Sequence, residues 1–382
     1  MILLVSVSAR MLAELARRER HDVVAFDRFG DLDLLRLCPS VSILRDLGGS
    51  GGMEALVDAA DGHPADRVVY GAGLENRPDL VERLAAGRTL LGCAPATLRR
   101  VRDPFVLGAS LRSAGFAYPL TFAADEAPRR ADRAARRWLR KPVRGGGGRG
   151  VRAWRGGRLP AGVVVQERID GLACSAAAVA DGSAAVLLGV SEQLAGRRAL
   201  GVRGYTWCGN VVPPRLPADE RRALAAEARE ICDHLAAAFG LRGLFGVDLV
   251  WDGERAWVVE VNPRPTASLE VIDAVHGVRP FTAHLAACAG RLPDVAIGEA
   301  TRAAGKAVVW ATRDVRLPDT SDWPARGIRD VPHPGERIAA GRPICTLVAT
   351  GATPEAVLAG LEARAGALRT QLHEAMAVDG VA

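Results

Sequence analysis

Lysine is almost missing from this chain. It occurs only at 141 and 306, although the basic residues number 50 in 382. Arginine carries the rest, and the net charge is +6. The basic residues read as mixed with Asp and Glu rather than set in blocks, which argues against a nucleic-acid surface. No apolar run reaches the length of a membrane span, so no membrane partner is expected. The first residues, Met1 to Ser8, are too short for a signal peptide and read as a buried strand. CxxC is absent. Seven cysteines (38, 93, 174, 208, 232, 288 and 345) are widely spread and odd in number, which suits reduced, buried thiols in a cytoplasmic protein. No internal repeat or long low-complexity tract is present. A hydrophobic share of 49% and a charged share of 25% are those of a soluble globular protein, and the length predicts two or three domains.

Two phosphate-binding fingerprints are also absent. Gly71-Ala-Gly73-Leu-Glu75-Asn76 follows a strand, where open sheets bind ligands, but it lacks the full GxGxxG. It is either a tight turn or a substrate loop using Glu75 or Asn76. Gly145 to Gly148 lacks the Gly-Lys-Ser/Thr ending of a P-loop.

The remaining pattern is α/β. A strand at 2–7, a helix at Arg10–Arg18 and a strand at 22–27 have the β-α-β spacing of a doubly wound parallel sheet. Phe29 to Asp33 reads as a loop. Helices near 52–60 and 78–86 and strands at 67–70 and 89–91 complete this lobe. One helix is expected from about Ala94 to Ala114, and another around Pro128–Ala135. Long helices at 219–239 and 354–372, a helix at 283–289 and strands at 306–311 and 343–349 follow.

The chemistry concentrates in three places. Gly243 to Val250 and Trp257 to Asn262 read as apolar strands joined by an Asp252-Gly253 turn. Asp248 interrupts the first strand, and Glu260 and Asn262 interrupt the second. Glu260 and Asn262 are two apart and share a face. A hairpin can bring Asp248 to them, and three oxygen donors suit a hard cation such as Mg²⁺. Arg264, between Pro263 and Pro265, can reach an anion. Lys141 ends a strand before Gly145, Gly146, Gly147 and Gly148, whose backbone can fold closely over phosphate oxygens. Gln166, Glu167, Arg168, Ile169 and Asp170 form a polar hinge after the strand from Val163. Its backbone can meet an adenine edge, with Ile169 on the ring.

In that order, these segments resemble the ATP-grasp superfamily over roughly residues 95–290, with Glu260-Val-Asn262-Pro-Arg264 the most specific piece. With Ser8-Ala-Arg10, the 70–76 loop and Gly341 to Ala349, the whole chain is similar to the predicted ATP-dependent carboligases related to biotin carboxylase. The resemblance implies a Rossmann-like pre-ATP-grasp lobe at 1–96. It implies an ATP-grasp domain at 97–295, with a small subdomain at about 97–165 and a large one at about 166–295 that clamp ATP. A C-terminal α+β module follows at 296–382. Lys141 and the glycine flap would grip phosphates, residues 166–170 would bind the nucleotide, and Asp248, Glu260 and Asn262 would hold Mg²⁺ or Mn²⁺. Arg264 and Lys141 would be catalytic. Glu75, Asn76 and Tyr205 would face substrate.

The chain departs from the family's common pattern twice. Arg102-Asp103 stands where many members have a second lysine, and Ala173 where many have a ribose-binding acid, leaving Asp170 as a substitute. No biotinylation segment is visible. The implied activity joins a carboxylate to an amine through an acyl phosphate, with release of ADP. Glutamate ligation in methanofuran or tetrahydromethanopterin biosynthesis is the specific expectation. A carboxylase acting through carboxyphosphate and a non-catalytic nucleotide-binding protein are the alternatives. The partners implied are small-molecule carboxylate and amine substrates, and a homodimer is allowed.

Overall fold

A computed structural model of the chain describes residues 1–127, 131, 136–295 and 297–379. The expected helix around Pro128–Ala135 lies outside the described residues. Apolar, β-branched runs make the first sheet. Strands β1 (Ile2–Val5), β2 (Val23–Asp27), β3 (Ser40–Ser42), β4 (Arg67–Tyr70) and β5 (Thr89–Leu90) are all parallel, in the order β3-β2-β1-β4-β5. The order reverses at β1, so the loops after β1, β2 and β4 open at the carboxyl edge where such sheets take ligands. One difference from the expected pattern falls here: the helix Leu32–Leu37 begins inside the loop expected at Phe29 to Asp33.

A four-stranded antiparallel sheet forms the small lobe: β6 (Thr121–Ala123), β7 (Trp138–Pro142), β8 (Arg152–Trp154) and β9 (Val163–Glu167), in the order β6-β9-β7-β8. The single helix expected before it is two, Pro95–Val101 and Pro104–Ser113. Pro104 cannot continue a helix, and the Asp103 carboxylate accepts from the N–H groups of Phe105 and Val106 to start the next one.

The large lobe is an eight-stranded sheet, in the order β14-β13-β10-β11-β12-β15-β19-β17. Its strands are β10 (Leu172–Asp181), β11 (Ala185–Ala195), β12 (Trp207–Val212), β13 (Arg242–Trp251), β14 (Ala256–Asn262), β15 (Ala303–Trp310), β17 (Ile328–Arg329) and β19 (Pro343–Gly351). Two short strands, β16 (Val315–Arg316) and β18 (Arg337–Ile338), pair beside it. The C-terminal segment therefore extends the large lobe's sheet, because β15 pairs with β12 along its length. The helix Ala218–Phe239 buries Leu224, Ile231, Leu235 and Phe239 against this sheet, and Gly240 at φ +66° ends it. Two helices, Leu269–His276 and Pro280–Cys288, follow β14 where one was expected. No helix of the described residues is long and apolar enough to cross a membrane. All seven cysteines are free, and all but Cys288 are buried.

Candidate active site

The β13–β14 hairpin sets the centre. Asp248 lies opposite Glu260, and Gly246 opposite Asn262. The register slips by one residue beyond Asp248, a bulge that re-aims side chains at the sheet edge. Asp248 accepts from Gln193 Nε2 at 2.7 Å, Ser175 Oγ at 3.3 Å and Asn262 Nδ2 at 3.2 Å. Glu260 is held differently. Lys141 Nζ stands 3.2 Å from its carboxylate and donates to Val259 O at 2.8 Å. Arg102 donates to Glu260 and, at 3.0 Å, to Val261 O. The hairpin thus presents one carboxylate dressed by neutral donors and one dressed by two cations.

Their electrostatics diverge accordingly. Burial and the nearby Glu260 charge push the Asp248 carboxyl up to about 6, although Lys141 and Arg264 oppose this. Burial would raise Glu260 as well, but Lys141 and Arg102 outweigh it and hold that carboxyl down at about 2. A crevice lined by Arg102, Lys141, Gln166 and Glu260 runs beside them, with Tyr118 and Val164 in its wall.

Two further loops close on this crevice. Arg264 Nε donates to Glu75 at 2.8 Å, and Nη2 to Asn262 Oδ1 at 3.4 Å. Glu75, only 3% exposed, also accepts from Gly73 N at 2.6 Å. Asn76 accepts from Arg102 Nη2 at 3.0 Å and donates to Gly145 O at 3.2 Å. The N-terminal loop 71–76 is therefore bound into the cleft through Glu75 and Asn76.

The glycine loop is tied at both ends. Arg102 donates to Gly145 O at 3.0 Å, and Trp207 N donates to Gly147 O at 3.0 Å. Gly148 has φ +70°, and a Cβ there would stand 1.8 Å from Tyr205 O. No other residue type fits so close an approach. Tyr205 meets the flap through its backbone carbonyl.

At the hinge, the Gln166 side chain is buried and donates to Thr121 at 3.2 Å. The N–H groups of Glu167 and Arg168 go to the carbonyls of Leu120 and Arg137, each at 2.8 Å. Asp170 pairs with Arg137 and Arg168 and is about half exposed.

Arg102, read from the sequence only as a departure from the family pattern, stands at the middle of the site. Gln193 and Ser175 had no signal, since polar residues in strands are common and only the pairing of β10, β11 and β13 brings them to Asp248. Among the described residues no three His, Cys, Asp or Glu side chains form a metal cage. Two carboxylates and one amide nevertheless fit Mg²⁺. That ion takes one or two carboxylates and completes its octahedron with phosphate oxygens and water. The raised carboxyl of Asp248 is a further sign that a positive charge suits this point.

Residues 101–268 match the family model described as "ATP-grasp domain". A stretch of 95 residues is 37% identical to the formate-dependent phosphoribosylglycinamide formyltransferase of Burkholderia lata, covering 25% of this chain and 23% of that protein. The chain thus spans about a quarter of the length of the curated relatives it matches. Among solved structures, the biotin carboxylase domain of the Hydrogenobacter thermophilus 2-oxoglutarate carboxylase, in complex with MgADP, ADP and bicarbonate, superposes with a TM-score of 0.70 at 16% identity. That match covers 94% of this chain and 88% of the other. The L-amino acid ligase of Bacillus licheniformis gives a TM-score of 0.65 at 15% identity, over 98% and 97% of the two chains. These likenesses extend the shared fold beyond the central domain to the parallel N-terminal sheet and the C-terminal strands. Lys141, the glycine loop, the hinge and the β13–β14 hairpin all fall within residues 101–268, the stretch that matches the ATP-grasp domain model.

Proposed function

We propose that the chain is an ATP-dependent ligase that joins a carboxylate to an amine and releases ADP. The observation that carries this reading is the polarity of the cleft. Lys141, Arg102 and Arg264 are all held by carboxylates or amides, partners that a nucleotide's phosphates would replace while a divalent ion took the carboxylates so freed. Asp248, Glu260 and Asn262 would hold Mg²⁺ (or Mn²⁺), which supplies charge neutralisation between phosphate oxygens. Lys141 and Arg102 would turn from Glu260 to the phosphate chain as a compact charge and a planar fork. The glycine loop would cover the phosphates and exclude water. The adenine edge would be read by hinge carbonyls and by Ile169, since the N–H groups of Glu167 and Arg168 are engaged.

A substrate carboxylate oxygen attacks the terminal phosphorus, the bond to the bridging oxygen breaks, and ADP leaves. The amine then attacks the acyl phosphate and phosphate departs. The protein's share is position and charge. Arg264 would steady the transferred phosphoryl group or the acyl phosphate, and Glu75, its present partner, would be freed to face the amine. Asn76 and Tyr205 border the same entry.

The substrates would be small molecules in the cytoplasm, with neither nucleic acid nor membrane as partner and with a homodimer as one assembly. Glutamate joined to an amine of a methanofuran- or tetrahydromethanopterin-type cofactor is the specific form of the reading. ADP release is measured against pooled amino acids and amines, with and without glutamate, and against bicarbonate alone. Release that needs a carboxylate–amine pair supports the ligase. Release that needs only bicarbonate replaces it with the carboxyphosphate chemistry of a carboxylase, and no release under any condition leaves nucleotide binding without catalysis. Glu260→Gln should keep its fold by circular dichroism and lose turnover on the order of a hundredfold or more, as removal of a metal ligand at a phosphoryl-transfer site implies.

A further inference from the structure

The glycine loop touches a residue far outside the stretch 101–268. Arg149, the residue after the fourth glycine, places its guanidinium carbon 5.2 Å from the centre of the Trp310 ring. That is within the reach of a cation–π contact. Arg149 is exposed, and among the described residues no carboxylate pairs with its side chain, so the ring is its partner. Trp310 is the last residue of β15 in the C-terminal segment and is only 7% exposed.

The backbone around Trp310 fixes the ring. The pairing of β15 with β19 slips by one residue between Val309 and Trp310, a bulge of the kind that re-aims a side chain. The connection from β11 to β12 lies directly against this point: a Cβ on Gly201 would stand 2.4 Å from Trp310 O. The indole N–H is buried and has no acceptor among the described residues, so packing rather than a hydrogen bond places the ring. The same connection carries Tyr205, whose carbonyl meets Gly148. Tyr205 and Trp310 therefore make one seat for the end of the glycine loop.

A run of glycines loses more backbone freedom on ordering than any other sequence. Such a loop needs an anchor on each side to stay in one place. Arg102 and Asn76 hold the Gly145 carbonyl on the first side. On the second side the Trp207 N–H holds Gly147 O, and Arg149 lies over Trp310. The apparent affinity for a ligand that only the closed loop covers falls with the fraction of closed loop. We propose that Arg149 and Trp310 are positioning residues for the nucleotide. Their contact holds the glycine loop over the phosphates, and the C-terminal segment thereby sets the affinity for Mg-ATP. A planar, weakly hydrated guanidinium suits that ring face. Neither side chain has to touch the nucleotide. The inference rests on the reading of the cleft as a nucleotide site, and its test reads binding rather than turnover.

Mg-ATP is titrated by calorimetry into the full chain, wild type and variants. Arg149→Met keeps the reach of the side chain and removes its charge. It should weaken Mg-ATP binding about fivefold, as loss of a cation–π contact implies. Its melting temperature should stay within about 2 °C of wild type, as for other exposed substitutions. Arg149→Lys keeps a cation over the ring and should restore most of the affinity. Trp310→Phe offers a weaker ring face and should fall between wild type and Arg149→Met. The double variant R149M/W310F should bind no more weakly than Arg149→Met alone, because the two changes remove one contact. Losses that add would mean that Arg149 acts on the nucleotide without the ring, and would overturn the proposal. Wild-type binding that Arg149→Met leaves unchanged would overturn it while the nucleotide site stands. A wild type that binds no Mg-ATP would overturn both.

Discussion

Asp248 and Glu260 are neighbours across one strand pair, yet their protons behave oppositely. The difference is in their dressing: Gln193, Ser175 and Asn262 bring dipoles to Asp248, while Lys141 and Arg102 bring full charges to Glu260. A buried acid whose pKa is raised on folding favours the native state below its unfolded value and loses that contribution as pH rises through its folded value. Metal-free protein should therefore lose stability from Asp248 between about pH 4 and pH 6. Asp248→Asn removes this loss. It should raise the melting temperature of the metal-free protein by about 2 to 5 °C at pH 7 and by less at pH 4. The same variant should lose ligase turnover. A melting difference that does not grow with pH would contradict the raised carboxyl. At this scale the sequence was informative where a charge breaks an apolar strand, as Asp248 and Glu260 do. It was silent on Gln193, which looks like any polar strand residue until β11 and β13 both pair with β10.

Among the elements, the glycine loop shows why four glycines in a row are more than a flexible tip. Its first carbonyl is held by Arg102 and Asn76, its third by Trp207, and its fourth residue lies against the Tyr205 carbonyl. Gly148→Ala places a methyl group where the Tyr205 oxygen stands, at a left-handed φ that a side chain resists. The flap should be displaced from its closed seat. The expected result is about a tenfold or greater rise in the KM for ATP, with a smaller change in melting temperature. Gly146→Ala, where a Cβ meets nothing within 4 Å, is the matched control and should change KM little. The flap's composition was plain in the sequence. Its partner loop was not, because Gly148 and Tyr205 meet only through tertiary folding and no periodicity signals such a contact.

Across the whole molecule, one buried guanidinium joins the lobes. Arg10, 1% exposed, donates to Asp330 at 2.9 Å, to Glu14 at 2.7 Å and to Glu270 at 2.5 Å. Lys306, the second of the two lysines, donates to Glu270 at 2.5 Å from strand β15. Burial opposes the Glu270 charge, but Arg10 and Lys306 hold its carboxyl far below the usual range. Such a carboxylate contributes stability above its unfolded pKa, lost only in strong acid. Arg10→Met would take from part-buried Asp330 its hydrogen-bonded cation and leave Glu270 with Lys306 alone, at a cost of about 3–5 kcal/mol. Urea unfolding at pH 7 should show that loss. A midpoint equal to wild type would mean that the network does not hold the lobes together. The local order of many strands and helices could be read along the chain, since each has its own periodicity. The joining of the C-terminal strands to the large sheet could not, because the pairing of β12 with β15 and the contact between Arg10 and Asp330 connect residues far apart in sequence.

The central claim is that carboxylates on the β13–β14 hairpin and Lys141 across the crevice form one magnesium–nucleotide site. Calorimetric titration of ATP into the full chain, with and without Mg²⁺, tests it most directly. The account predicts saturable binding that strengthens with Mg²⁺ in the wild-type chain and loses most of that Mg²⁺ dependence in Glu260→Gln. Binding heats absent from the wild type, or an equal response to Mg²⁺ in both proteins, would contradict it.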